Sequence, residues 1–507
     1  MKAHLKTKFW TLILTFLSLL IFGSSCSYAD FNSRYFTLED VLTITNHRRE
    51  SIPEVSEERL LELIYGRTPS FHPTVMHHSR QRIMQELTAA FAIGDVMSLF
   101  HRMRATYAAY TYFGGDEVFI PLREEINQQI RDIGNDITPE ILSEIIRRNL
   151  VTIIADNHFV FDMRYLYTEG SPVPFAAATF FHNPNLIFDK SNGGFSNREN
   201  GLYVKEIVGY DMHEILRLSI DDDGYFFFSP IVYSWDFSIE NYKLTVIYED
   251  NTIEVIALEQ AERIKQDWEE ASATFHEGIP VINMRSMFLD PVNRDFENAS
   301  RFIGFAEEFR DEPVLIVDIR GNGGGDSTLV NHWLHVLTGQ IVPTNFVALA
   351  TFAYVPSQVG EYEFGDPDTL FYIPDMYIYH PASSFNGFWL IQNLGREIIQ
   401  RDQILILLTD RFVGSAAEIF VKIAFNIENT LIIGQNTAGV AIAGGGSPPF
   451  PFLPSSGIEY SFGDRVVVYP EGLFEEGVGF APDIWVHGDA LAATIAMLRN
   501  AGFGADY

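Results

Sequence analysis

Cysteine is almost absent from these 507 residues: Cys26 is the only one, so no intrachain disulfide can form. Basic residues are scarce as well. Lys and Arg number 35 against 67 Asp and Glu, a net charge of −32, which argues against nucleic acid as a partner and against a polybasic membrane contact. Acidic solvated faces account for the excess. Lysine nearly disappears from the second half, where Lys422 is the only one after Lys265. There is no His-Glu-x-x-His and no paired-cysteine spacing, so no metal site is legible. Gly321-x-Gly323-x-Gly325 invites a dinucleotide reading. Asp326 stands where the third fingerprint glycine belongs and would repel pyrophosphate, so no cofactor is expected. Beyond the N-terminus no apolar run is long enough to span a bilayer. What remains, 47% apolar and 20% charged residues, is an ordinary globular composition with room for two to four domains.

The N-terminus is a targeting segment. Lys2, Lys6 and Lys8 precede an apolar run from Phe9 to Phe22 and then Gly23-Ser24-Ser25-Cys26. This resembles a bacterial lipoprotein signal with Cys26 as the acylated residue, although Gly23 replaces the usual Leu. Cleavage after Ala29 would instead release a soluble exported protein. Either way residues 1–29 are read as a signal peptide and the protein as exported, periplasmic or in the cell envelope, with a lipid anchor through Cys26 as one form.

The mature chain divides into three textures. Residues 30–158 carry apolar positions at helical spacing (Leu60, Leu61 and Ile64; Ile126, Ile130 and Ile133), and Thr138-Pro139-Glu140 predicts a capped helix running to about Ile154. Residues 159–275 are rich in aromatic and β-branched clusters between Gly, Asn and Asp turns, with a hairpin predicted around Leu244, Val246 and Tyr248. Asp221-Asp222-Asp223-Gly224 reads as an acidic turn. From residue 276 strands alternate with helices: strands at 279–284, 314–319, 345–352, 404–408 and 431–434, helices at 296–309, 327–337, 415–425 and 490–498. That pattern predicts an α/β domain with a mostly parallel sheet.

Two stretches carry chemistry. Val314 to Ile319 is a buried strand breaking into Arg320-Gly321-Asn322-Gly323-Gly324-Gly325 before a helix, a pocket for an anion or oxyanion. Ser415 falls at another helix start, after the strand at 404–408. There it is either an N-cap or a nucleophile stabilised by free N–H groups. The α/β-hydrolase elbow does not fit, because Val413 stands where that motif has glycine.

With Ile433-Gly434-Gln435-Asn436-Thr437-Ala438-Gly439 and Gly479-Phe480-Ala481-Pro482-Asp483-Ile484 in the same order, these segments resemble the catalytic domain of the tail-specific, or C-terminal-processing, serine proteases, a family that includes the tricorn core. The resemblance covers roughly Ile279 to Leu498. It implies a crotonase- or ClpP-like α/β catalytic domain over 276–507, with an N-terminal helical domain and a β-rich middle domain before it, and a serine endopeptidase acting on polypeptide. Ser415 would be the nucleophile, with oxyanion N–H groups from Gly323 or Gly324 and from Ala416. Many members use a lysine on a strand after the nucleophile as base. Thr437 to Val440 has none, and Lys422, two turns into the Ser415 helix, is read as facing solvent. Other branches use an N-terminal histidine, and Asp156-Asn157-His158 resembles their segment, which makes His158 the candidate base and a structural histidine its alternative. His332 is a weaker candidate. Glu476, or its neighbour Glu475, matches the orienting acid. Asp318 and Arg320 are read as bracing the glycine loop, and Glu418 as complementing the helix dipole. The missing lysine keeps a second reading open: a catalytically inactive protease fold acting as a peptide-binding or envelope scaffold.

Overall fold

The computed structural model describes residues 36–65, 83–162, 177–191, 194–236, 238–263, 267, 269–287, 297–343, 346–351, 383–386, 389–393, 397–444, 451–463 and 465–504. Cys26 and the segment 1–29 lie outside them.

The first described element, α1 (Leu38–Glu50), starts at Thr37, whose hydroxyl accepts from Asp40 N while Thr37 N donates to the Asp40 carboxylate at 2.9 Å. Its last turn delivers Arg48 and Arg49 to Asp483, far along the chain, and Arg49 Nη2 sits 2.6 Å from Asp483 Oδ2. Helices α2 (Glu57–Tyr65), α3 (Ala89–Thr106), α4 (Gly115–Ile133) and α5 (Pro139–Leu150) follow. Thr138 caps α5 by accepting from Ile141 N, as its sequence predicts. The helix stops at Leu150 rather than near Ile154, because Ile153 and Ile154 continue the apolar spacing inside a packed turn.

Twenty-one strands are described. In the middle region they are β1 (Val160–Phe161), β2 (Thr179–His182), β3 (Phe188–Ser191), β4 (Gly194–Asn197), β5 (Val204–Ile207), β6 (Leu216–Ile220, after the single-turn α6 Met212–Ile215), β7 (Phe226–Ser234), β8 (Asn241–Tyr248), β9 (Ile253–Gln260) and β10 (Ser272–His276). Then come β11 (Ile279–Asn283), α7 (Glu297–Glu308), β12 (Val314–Asp318), α8 (Ser327–Thr338), β13 (Val347–Thr351), β14 (Ser383–Asn386), β15 (Trp389–Asn393), β16 (Ile404–Thr409), α9 (Ala416–Ala424), β17 (Thr430–Gly434), β18 (Ala443–Gly444), β19 (Tyr460–Ser461), β20 (Arg465–Val468), β21 (Ile484–Val486) and α10 (Ala490–Asn500).

The heart of the molecule is the parallel run β11-β12-β16-β17-β21-β6. Its strands are apolar on both sides because both sides are covered. Ile316, Ile406, Leu408, Leu431 and Ile433 pack with α1 and α10. Leu315, Val317, Leu405, Leu407 and Ile432 pack with α7, α8 and α9.

Two corrections to the sequence reading follow. The sheet is large and mixed rather than mostly parallel, since β6 continues into antiparallel β7, β2, β9, β8 and β5. The boundary read at 275/276 therefore does not separate two sheets: β21 of the catalytic segment pairs directly with β6. The strand read at 345–352 is also displaced. As β13 it lies in a second, antiparallel sheet of order β14-β15-β13-β20-β18, paired with the sequence-distant strands β15 and β20 instead of joining the parallel run. The N-terminal helices pack on this small sheet, where Phe119, Ile126, Ile130 and Leu142 share one apolar cluster with Val347, Leu349, Val466 and Val468. The acidic turn is as read: Asp221 accepts from Asp223 N and Tyr225 N between β6 and β7, with Gly224 at φ +80°.

Asp483 ties α1 to the parallel run, because it also accepts from Ile432 N at 2.7 Å. Asp483→Ala leaves Arg49 buried without its carboxylate and is expected to cost about 3–5 kcal/mol in urea unfolding. A loss below about 1 kcal/mol, the value of an exposed pair, would contradict this assignment.

Candidate active site

Strand β16 ends in Asp410-Arg411-Phe412-Val413-Gly414, and the chain then turns abruptly at Ser415 into α9. Ser415 has φ +52° and ψ −118°, a conformation that costs a non-glycine residue roughly 1–3 kcal/mol and persists only where the surroundings impose it. The surroundings here are polar and buried. Ser415 N donates to Val440 O at 3.2 Å and to Glu418 Oε2 at 3.2 Å. Glu418 also accepts from Thr437 Oγ1 (2.5 Å), Gly439 N (2.8 Å) and Val440 N (2.6 Å). It was read as a helix-dipole partner; it is a fully buried clamp between the serine turn and the 437–440 loop. Burial pushes its carboxyl up, and the four donors oppose that shift.

Gly324 lies directly beneath the serine. A Cβ there would come within 2.7 Å of Ser415 Cβ and Gly414 O and 2.8 Å of Ala416 N, and its φ is +103°. The glycine loop is thus pressed against the start of α9, and the two segments meet on one side of the sheet. Asn322 holds them together: its carbonyl accepts from Gly414 N at 3.0 Å, its Oδ1 from Gly324 N at 2.9 Å, and its Nδ2 donates to Met284 O. Because Gly324 N–H is committed to Asn322, the candidate oxyanion donors narrow to Gly323 and Ala416, whose N–H groups have no acceptor among the described residues. Asp318 braces the loop through Arg320 Nε (2.9 Å) and Arg285 Nη2 (3.0 Å). Burial works the other way, but the two guanidiniums hold its carboxyl below the usual range. Asp410 accepts Gly321 N on both oxygens at 3.0 Å.

His158 arrives from the opposite end of the chain. It sits on the loop between α5 and β1, and β1 pairs with β19. Its Nε2 is 3.0 Å from Ser415 Oγ. The loop is fixed from both sides: His158 N donates to Asp156 Oδ1 (2.8 Å), Tyr107 OH to Asp156 Oδ2 (2.7 Å), and Asn157 Nδ2 to Gly439 O (2.9 Å). Burial pushes the imidazole down, Asp156 pulls it up, and Arg465 pushes it down again, with a net lowering.

Glu476 was read as the carboxylate that orients the imidazole. Its contacts are on main chain instead: Asn157 N (2.9 Å), Ala441 N (3.1 Å) and Ile442 N (3.0 Å). His158 Nδ1 is buried without a hydrogen-bond partner. Burial, then the charge of nearby Asp156, drives Glu476 well above the normal carboxylate range. Glu475 points to Tyr233 OH at 3.0 Å. His332 lies on α8 with its imidazole lowered by burial.

Lys422 does not face solvent. It is buried, with Nζ 3.6 Å from the centre of the Phe346 ring and 3.4 Å from Tyr469 OH, which in turn donates to Ala441 O at 2.9 Å. Burial pushes its amine far down. Nothing near Lys422 in the chain signals this, since Phe346 and Tyr469 are remote from it. Arg411, also missed, donates to four carbonyls (Thr437, Val478, Gly477 and Ala178) and fixes the turn that carries Glu476. A buried Asp-Arg pair of residues at the end of an all-apolar strand was the available signal.

A serine in a strained turn, a histidine on its hydroxyl and two free N–H groups beside it can together attack a carbonyl, move a proton and hold an oxyanion. Residues 279–486 match peptidase family S41, and the four motifs quoted above all lie inside that span, whereas His158 lies outside it. No curated protein matches the chain. Among solved structures, mature CPAF is similar at 14% identity over 82% of this chain and 96% of its own, with a TM-score of 0.39. The photosystem II D1 C-terminal processing protease is similar at 12% over 79% and 93%, TM-score 0.35. The tricorn protease is similar at 12% over 81% and 37%, TM-score 0.25.

The two loop glycines are expected to differ. Gly324→Ala must displace Ser415 and should lower thermal stability clearly, whereas Gly323→Ala, with no atom within 4 Å of its Cβ, should melt like the wild type. Equal melting temperatures for the two variants would contradict the close approach of loop and serine.

Proposed function

We propose that this chain is a serine peptidase of the histidine-using, lysine-independent kind, hydrolysing peptide bonds of exported or envelope polypeptides. The observation that carries the reading is the 3.0 Å separation of His158 Nε2 and Ser415 Oγ. Ser415 Oγ attacks the scissile carbonyl carbon while Nε2 takes its proton. Gly323 and Ala416 N–H groups stabilise the oxyanion, with Ala416 at the positive end of α9. The imidazolium then gives its proton to the leaving amine, and water, activated by the same imidazole, hydrolyses the acyl-enzyme. Lys422 takes no part, because its amine is turned to Tyr469. Glu476 acts as a positioning residue, holding the 156–158 loop against the main chain of Ala441 and Ile442. The N-terminal segment supports export, with Cys26 as a site of lipid attachment. Among the described residues no helix is long and apolar enough to cross a membrane.

A fluorophosphonate probe should label Ser415, and Ser415→Ala should abolish labelling. His158→Ala should cut the labelling rate by about 10²–10⁴, the usual contribution of a general base. Full labelling of Ser415→Ala would remove Ser415 from the mechanism, and no labelling of the wild type would favour the inactive-scaffold reading.

The pH dependence has a definite sign. Only neutral imidazole accepts the proton, so kcat/KM rises with pH through the His158 pKa. Because that pKa is lowered from 6.5, the half-maximal point on the acid side should fall below 6.5. A half-maximal point above that value would remove His158 as the base.

A further inference from the structure

The arginines around the serine are of two kinds. Arg285 and Arg320 are taken up by Asp318, Arg49 by Asp483, and Arg411 by main-chain carbonyls. Arg465 is different. It opens β20, opposite Gly444 of β18 and Ala350 of β13. Among the described residues it forms no ion pair, and its Nε is buried with no hydrogen-bond partner. With 67 acidic residues in the chain, a carboxylate could have been supplied at little cost. Leaving a buried donor unmet is unfavourable, so an occupant from outside the chain is the natural complement.

Its place is informative. Val467 N donates to Ile442 O at 2.7 Å, and Ser415 N donates to Val440 O, so β20 runs beside the 440–442 segment that accepts the serine N–H. The guanidinium lies across Gly444: a Cβ there would be 3.2 Å from Nη2 and 3.5 Å from Nε, so only glycine leaves it that bed. Its charge is felt by both His158 and Lys422. Arg465 itself is half-buried and remains open to solvent.

We propose that Arg465 is a specificity residue that pairs with a carboxylate of the peptide next to the bond attacked by Ser415, either a free C-terminal carboxylate or an acidic side chain. The proposal deepens the peptidase reading and rests on it for the identity of the bound molecule. A guanidinium fork and a carboxylate pair through two parallel N–H···O bonds, which fixes direction as well as affinity. A second consequence follows for the base. A bound carboxylate offsets the positive field at His158, so the imidazole becomes more basic when the matching peptide is in place, and the carboxylate should raise kcat as well as lower KM.

The test reads binding to Ser415→Ala protein by fluorescence anisotropy, which needs no turnover and so stands apart from the peptidase reading. The probes are fluorescein-labelled Ala-Ala-Phe-Ala-Ala as free acid and as amide, and amidated Ala-Ala-Phe-Glu-Ala and Ala-Ala-Phe-Gln-Ala. One carboxylate form should bind at least tenfold tighter than its neutral twin, about 1.4 kcal/mol. The gap should fall below twofold when Arg465→Gln is added and be partly kept with Arg465→Lys. Dependence on the free acid assigns a C-terminal group, and dependence on Glu assigns a side chain. Equal affinity for all four peptides, no binding of any, or a gap that survives Arg465→Gln overturns the proposal. In otherwise wild-type protein, Arg465→Gln should also move the acid limb of kcat/KM on the amidated Gln peptide to higher pH, and an unmoved limb overturns the coupling to His158. Absence of all hydrolysis would count against the peptidase reading alone.

Discussion

The site depends on one buried carboxylate. Glu418 gathers Ser415 N, Thr437 Oγ1, Gly439 N and Val440 N into a single node beneath the first turn of α9. Burying a carboxylate is costly, and each hydrogen bond to a charged group returns only about 1.5–3 kcal/mol, so the arrangement is tolerable because all four donors are present together. Its effect is mechanical. It holds Ser415 in a backbone region that serine avoids, and ties that turn to the loop on which Asn157 rests through Gly439 O. The position of the imidazole is therefore inherited from the same carboxylate that shapes the serine turn.

Glu476 repeats the device one layer out. It collects Asn157 N, Ala441 N and Ile442 N and so joins the histidine loop to the 440–442 segment that accepts Ser415 N. Neither acid touches the imidazole itself. Orientation is transmitted through main chain, and Asp156, held by Tyr107 from the helical part, completes the frame. The N-terminal helices thus have a site function: packed on β13 and β20, they deliver the loop that carries His158.

Much of this was legible in the sequence. The strands of the parallel run announce themselves as continuous apolar segments, because two-sided burial leaves no polar face to alternate with. The glycine loop and Ser415 were legible because a sharp backbone approach needs residues without Cβ, and a helix start needs free N–H groups. The small antiparallel sheet was not, since β13 alone looks like another crossover strand and its partners β15 and β20 are set by distant pairing. The contacts of Glu476 were misread for a related reason: spacing locates a carboxylate near a histidine, but only the fold decides whether it meets the ring or the main chain. Lys422 failed most completely. Helical spacing places it two turns from Ser415, and nothing local reveals that Phe346 and Tyr469 close over it.

That buried amine sharpens the electrostatic argument. His158, Lys422 and Arg465 share one neighbourhood in a protein of net charge −32. Burial disfavours charge on the imidazole and on the amine, and the Arg465 charge opposes each of them in addition. Burial first, and the positive field of Arg465 after it, lowers the His158 imidazole against the pull of Asp156 and so favours its neutral form. A lysine brought to the hydroxyl would have needed the same lowering; here the lowered lysine lies against Tyr469, and it is the His158 imidazole that stands 3.0 Å from Ser415 Oγ.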